Sequence, residues 1–228
     1  MKIKICGTTS EDDALLAVAL DADLVGFIFA PSPRQIAPQQ AADIAKRLPH
    51  EVVPVGVFRD ELPQRVVEIA QRSGMRAVQL HGEETAEQTR WIRERIPFVI
   101  KAFAAGDARL ADAGHYHADV ILLDAPHPGS GRVFDWALAG EAPTGHPVMI
   151  AGGLHAGNVA DAVARTRPWG VDVVTGVERA PGVKDPIKLR AFVAAARAAE
   201  REVAAEDGPA TDQDDTGSQP YDWDDGRV

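Results

Sequence analysis

Cysteine is nearly absent: Cys6 is the only one in 228 residues. A single thiol makes no internal disulfide and excludes a metal site built on several thiolates. It fits a reducing compartment, and a cytoplasmic setting is expected. Histidine is sparse as well, and no pair stands at the HxxxH spacing of a helical metal site. No run of about 18 residues is both uncharged and predominantly apolar, so no membrane-spanning helix is expected. Lys2 and Lys4 break the apolar run that a secretory signal would need. There is also no basic stripe, which argues against a nucleic-acid partner.

Charge is present in excess, but of the other sign. The formal net charge is -10. Eight acids against Arg227 alone put -7 of this in residues 206–228, leaving only -3 for the rest of the chain. Hydrophobic periodicity stops at the same place. Residues 206–228 therefore read as a disordered acidic tail, and residues 1–205 as one folded domain.

Within that domain, short β-rich runs alternate with helical patterns. The strands are expected at Ile3–Cys6, Leu24–Phe29, Val52–Phe58, Ala77–Leu80, Phe98–Phe103, Val120–Leu123, Val148–Ala151 and Val171–Val174. Helices are expected near 11–19, 38–48, 62–73, 84–95, 158–166 and 186–205, with a weak one near 107–113. Ser10 is positioned to cap the first, with Asp12 and Asp13 in its opening turn. Eight even units joined by right-handed crossovers close into a (β/α)8 TIM barrel. A doubly wound open sheet is the weaker reading, because eight repeats fill the domain.

Chemistry in such a barrel gathers at the carboxyl ends of the strands. Cys6 and Asp124 both fall there, on strands one and six, and a thiol and a carboxyl on one rim suit a base and an acid. The plainer readings are a small buried apolar thiol and a turn carboxylate. Glycine turns end strands seven and eight, Ala151-Gly152-Gly153-Leu154 and Val174-Thr175-Gly176-Val177. At those two strands such turns often bind phosphate through backbone N–H groups. Arg34, on the loop Pro31-Ser32-Pro33-Arg34, offers a planar fork to a carboxylate, or else is an exposed loop arginine. His81, after strand four, either binds substrate or bonds the turn. Asp172, within strand eight, needs a partner if buried.

Taken in order, these stretches resemble the phosphoribosylanthranilate isomerases. The likeness is carried by Lys4-Ile5-Cys6-Gly7-Thr8-Thr9, Val25-Gly26-Phe27-Ile28-Phe29 with Ser32-Pro33-Arg34, Val55-Gly56-Val57-Phe58 and Val78-Gln79-Leu80-His81-Gly82. It continues through Leu123-Asp124 with Gly131 and Phe134-Asp135-Trp136, Ala151-Gly152-Gly153-Leu154, and Gly176-Val177-Glu178 with Pro181-Gly182-Val183-Lys184-Asp185. It runs over roughly residues 2 to 200. The resemblance implies an aldose-to-ketose rearrangement in tryptophan biosynthesis, on a small phosphorylated substrate, with no metal and no cofactor. It implies Cys6 as general base and Asp124 as general acid. Arg34 would hold the anthranilate carboxylate, and His81 would lie close to the substrate. Gly152, Gly153, Thr175 and Gly176 would form the phosphate turns. A monomer or a homodimer is expected. Paired serines often precede the last of these glycines in the family; Val174 and Thr175 stand here instead.

Three other readings stay open at this point. A histidine-pathway isomerase performs the same rearrangement on two rim aspartates, whereas strand one here ends in Cys6. A non-catalytic phosphate-binding protein would not depend on Cys6 or Asp124. Indole-glycerol-phosphate synthesis would want a lysine and a glutamate on the rim, and Lys101 is the obvious lysine.

Overall fold

The computed structural model describes residues 1–125 and 145–206. Eight parallel strands close into a barrel in sequence order, and β1 pairs with β8 to complete the ring. The strands are β1 (Lys2–Ile5), β2 (Leu24–Ile28), β3 (Val53–Phe58), β4 (Ala77–Leu80), β5 (Phe98–Ala104), β6 (Val120–Asp124), β7 (Val148–Ile150) and β8 (Gly170–Val173). Among the described residues six α-helices accompany them: α1 (Glu11–Ala19), α2 (Pro38–Ala45), α3 (Pro63–Arg72), α4 (Ala86–Arg93), α5 (Val159–Thr166) and α6 (Pro186–Glu206).

Local chemistry sets the helix starts. The Ser10 hydroxyl accepts from the Asp13 amide at 3.2 Å, with Glu11, Asp12 and Asp13 in the first turn. Proline opens α2 and α3, where its missing N–H costs nothing. Thr85 and Gln88 form a reciprocal capping box on α4. Helix α3 ends at Gly74, which adopts a left-handed φ of 68°.

Three features depart from the sequence expectation. The weak helix after β5 is a 3₁₀ helix, Ala108–Tyr116, nucleated by the Asp107 carboxylate on the Arg109 amide. Most strand and helix ends shift by one to three residues. A small antiparallel pair, β9 (Glu178–Ala180) and β10 (Val183–Lys184), stands between β8 and α6 and was not anticipated. Its strands are too short to show a periodic pattern. The loop with Gly129, Ser130, Gly131 and Phe134-Asp135-Trp136 lies outside the described residues, as does the acidic tail from 207.

Side-chain alternation divides the core in two. Leu24, Val53, Val55, Ala77, Phe98, Ile100, Ala102, Val120, Leu122, Met149 and Ala151 pack together inside the barrel. Their neighbours one residue away, among them Val25, Val78, Val99, Ile121, Leu123 and Ile150, pack against the helices. Residues two positions beyond an interior residue therefore emerge at the carboxyl-end mouth. Gln79 and His81 follow Ala77, and Asp124 follows Leu122, in this phase.

Candidate active site

The carboxyl ends of the strands surround a cavity of about 630 Å³. This is an ordinary size for a small-molecule site. Cys6, Arg34, His81, Asp124, Gly152, Gly153 and Thr175 all line it. The seventh strand end and the first thus share one mouth, although 146 residues separate Cys6 from Gly152. Of the expected site residues only Gly176 does not line the cavity. It is the middle residue of the short turn Thr175–Val177 after β8, and a Cβ on it would stand 1.9 Å from the Leu154 carbonyl oxygen. Gly176 thus joins the two glycine turns by close backbone contact.

Cys6 follows β1 directly, and its amide donates to the Val173 carbonyl at 2.9 Å. The thiol is buried. Burial pushes its proton affinity up, and the positive charge of Lys4 opposes this. Lys4, two residues earlier on β1, shares the phase of Cys6 and points the same way. It is fully buried, and its ammonium meets Asp172 of β8 at 3.0 Å. The desolvation of the ammonium is outweighed by the charges of Asp172 and Cys6, so its proton is held more tightly than usual. Asp172 has the partner that the sequence analysis required.

Asp124 is the last residue of β6 and is 6% exposed. Its Oδ1 accepts from the Ala125 amide at 2.7 Å, and its Oδ2 stands 3.2 Å from His81 Nε2. His81 Nδ1 lies 2.9 Å from the Gln79 amide nitrogen. The result is a line of three polar groups, Gln79, His81 and Asp124, running from the barrel interior to the mouth. Gly152 backs onto its end: a Cβ there would come within 2.8 Å of Asp124 Oδ1 and 2.4 Å of the Ala125 amide. Gly152 and Gly153 have φ of 81° and 67°, which direct the backbone as only glycine does without strain. Asn158 fastens this turn, its amide donating to the Gly153 carbonyl at 3.0 Å while its Oδ1 accepts from the His155 amide at 2.8 Å.

Arg34 is partnered within the chain. Its Nε and Nη2 donate to the Glu178 carboxylate, at 2.9 Å and 2.7 Å for the closest contacts. Lys184 reaches the same carboxylate at 3.4 Å and donates to the Cys6 carbonyl at 2.5 Å. Burial tends to neutralise Glu178, but Arg34 and Lys184 prevail and hold its carboxyl below the usual range. For Lys184 burial prevails, and its ammonium loses its proton more readily than usual. The β9–β10 pair thus exists to deliver Glu178 and Lys184 behind Cys6. Thr9 ties it down by donating to the Gly182 carbonyl at 2.6 Å.

Glu178, Lys184, Lys4 and Gln79 flank the site without having been anticipated there from the sequence. Lys4 and Gln79 carried a usable signal: each is a polar residue in the interior phase of a barrel strand. Lys101 is different. It alternates with Ile100 and Ala102, which face the barrel interior, so it faces the helix layer. There it meets Glu84 at 2.8 Å, with both side chains buried. It does not line the cavity, so the lysine considered for indole-glycerol-phosphate chemistry does not stand at the mouth.

Among the described residues no group of three metal-ligating side chains occurs, and no helix is long and apolar enough to cross a membrane. The family profile for N-(5'-phosphoribosyl)anthranilate (PRA) isomerase matches residues 3–195. The chain belongs to this family. It is an isomerase of tryptophan biosynthesis on the (β/α)8 barrel. The N-(5'-phosphoribosyl)anthranilate isomerase of Desulforudis audaxviator is 48% identical over 204 residues, 86% of this chain and 98% of the relative. The crystal structure of the phosphoribosylanthranilate isomerase from Thermus thermophilus superposes with a TM-score of 0.81 at 42% identity, covering 87% of this chain and 99% of that one. A further isomerase was solved in complex with reduced 1-(o-carboxyphenylamino)-1-deoxyribulose 5-phosphate. It matches at 40% identity and a TM-score of 0.77, again over 87% and 99% of the two chains.

Proposed function

We propose that this chain converts N-(5-phosphoribosyl)anthranilate to 1-(2-carboxyphenylamino)-1-deoxyribulose 5-phosphate, with Cys6 as general base and Asp124 as general acid. One observation carries the assignment: Cys6 and Asp124 end different strands yet line one cavity, beside the glycine turn at Gly152 and Gly153. The relative bound to a reduced form of this product supports the substrate class.

The chemistry follows from these positions. Asp124 protonates the furanose ring oxygen, and the C1–O bond breaks to leave a protonated imine. The iminium acidifies the C–H at C2, and Cys6 takes that proton as a thiolate. The enolamine so formed tautomerises to the amino-ketose. Asp124 must therefore carry a proton when it acts, and His81 is its contact.

The substrate's two anions find two fittings. Amides of the Gly152-Gly153 turn and of the turn at Thr175 and Gly176 bind the phosphate, a role that Val174 leaves intact because it needs no side-chain hydroxyl. Arg34 keeps its Nη1 edge for the anthranilate carboxylate while Glu178 holds Nε and Nη2. Glu178 thus aims the guanidinium.

The test is complementation of a tryptophan auxotroph lacking this isomerase. The wild-type chain restores growth, while Cys6→Ser and Asp124→Asn do not. Equal growth from all three would overturn the catalytic assignment and favour a non-catalytic role.

A further inference from the structure

The thiol sits in an unusual electrostatic setting for a buried group. Lys4 and Asp172 form an ion pair below it, with exposures of 0% and 5%. A barrel interior gains nothing in stability from such a pair, since well-packed apolar side chains do as well or better. On its other side Lys4 has the apolar Leu24 of β2 as its register partner. The pair therefore calls for a reason beyond packing.

Strand geometry supplies one. Lys4 and Cys6 are two apart on β1, so both side chains project to the same side. Asp172 is the register partner of Lys4 across the seam where the barrel closes. The ammonium is therefore anchored next to the thiol by a residue of another strand. Behind the thiol stand Lys184 of β10, Glu178 of β9 and Arg34 of the loop after β2. Across the cavity stand Asp124 of β6 and His81, bonded to one another. The group nearest Cys6 thus holds three cations, Lys4, Lys184 and Arg34, against two anions, Asp172 and Glu178. One positive charge is left over, and a thiolate at Cys6 balances it.

We propose that Lys4 is a positioning residue for the reaction: its buried ammonium, anchored by Asp172, is the fixed counter-ion that lets Cys6 surrender its proton. This rests on the reading of Cys6 as the base. Burial works against the thiolate, and Lys4 is the strongest single influence opposing burial, with Asp172 acting in the reverse sense. Arg34 and Lys184 contribute less because Glu178 already engages both. When the substrate arrives its carboxylate draws on Arg34, and Lys4 remains as the cation that nothing in the substrate competes for.

Cys6 is the only cysteine, so the ultraviolet absorbance of the thiolate, taken as a difference against Cys6→Ser, titrates this group alone. Lys4→Met is expected to raise the titration midpoint by about one pH unit or more, a roughly tenfold loss of thiolate at any pH below it. Asp172→Asn is expected to lower the midpoint. The double variant Lys4→Met/Asp172→Asn leaves no unpaired buried charge and so guards against misfolding. Its midpoint is still expected above the wild type, since Lys4 outweighs Asp172. The kcat/KM of Lys4→Met at neutral pH should fall by the same factor as its thiolate fraction. An unmoved midpoint in both lysine variants, or lysine and aspartate variants that shift it the same way, would overturn the proposal. Should Cys6→Ser be inactive while the midpoint stays put, only the role of Lys4 fails. Should Cys6→Ser keep wild-type turnover, the base assignment fails, and the part of Lys4 in the reaction with it.

Discussion

Cys6 lies directly over Gly26. A Cβ on that glycine would stand 2.6 Å from the thiol sulfur and 3.2 Å from the Cys6 Cα. The two residues follow register pairs of β1 and β2, Lys4 with Leu24 and Ile5 with Val25. The absence of a side chain on β2 is thus what gives the thiol its place in the mouth.

Gly26→Ala should therefore displace the sulfur without abolishing the fold. Overpacking of this kind costs about 1–3 kcal/mol. A displacement of roughly 1 Å lowers turnover by about a hundredfold. Steady-state kinetics and thermal melting together check this, and wild-type kcat in a folded Gly26→Ala protein would refute it.

His81 is expected to matter for rate more than for stability. It is partly exposed, and its contacts are Asp124 and Gln79. His81→Ala should lower kcat/KM by about ten- to a hundredfold, the worth of one hydrogen bond to an ionisable group. His81→Asn, which retains a polar group toward Asp124, should recover part of the loss. Equal kinetics for all three proteins would show that the imidazole is incidental.

Glu178 links the site to acid stability. Its carboxyl is held below the ordinary 4.5 by Arg34 and Lys184 against the effect of burial. A carboxyl with a depressed folded value stabilises the fold above its unfolded value and loses that contribution as pH falls through the folded one. Glu178→Gln should therefore melt below wild type at pH near 7, with the gap closing as the pH drops under about 4. Melting curves taken across that range decide it; a constant gap would mean the carboxylate charge is not what stabilises.

Lys101 and Glu84 form the buttress of the turn that carries His81. Lys101 Nζ donates to the Gly82 carbonyl at 2.7 Å and to Glu84 at 2.8 Å, and Glu84 accepts from the amides of Gly82 and Asp60, both at 2.9 Å. Lys101→Met leaves a buried carboxylate without its counter-ion and should cost about 3–5 kcal/mol in urea unfolding. Adding Glu84→Gln removes the stranded charge while its carbonyl oxygen still accepts from one of the two amides, and should regain part of that loss. A Lys101→Met protein as stable as wild type would show the pair to be dispensable.

The site was legible where function follows strand phase. Cys6, His81 and Asp124 each end a strand, and alternation alone carries them to the rim. Gly152 and Gly153 announced a tight turn by composition. Glu178 and Lys184 were hidden, because a two- or three-residue strand has no period to detect. Lys101 was misleading for the opposite reason: its type suggested chemistry, while its phase turned it toward the helices.

The amino-acid order by itself determined the eight-unit barrel and the end of it where the chemistry gathers. Both follow from local periodicity and from turns whose glycines are read one at a time. The partners of the thiol were decided only by closure. Lys4 meets Asp172 across 168 residues, and Arg34 meets Glu178 across 144. The first meeting depends on the register between β1 and β8, a quantity that no stretch of chain contains on its own, and the second on where ring closure brings the β9–β10 pair against the loop after β2.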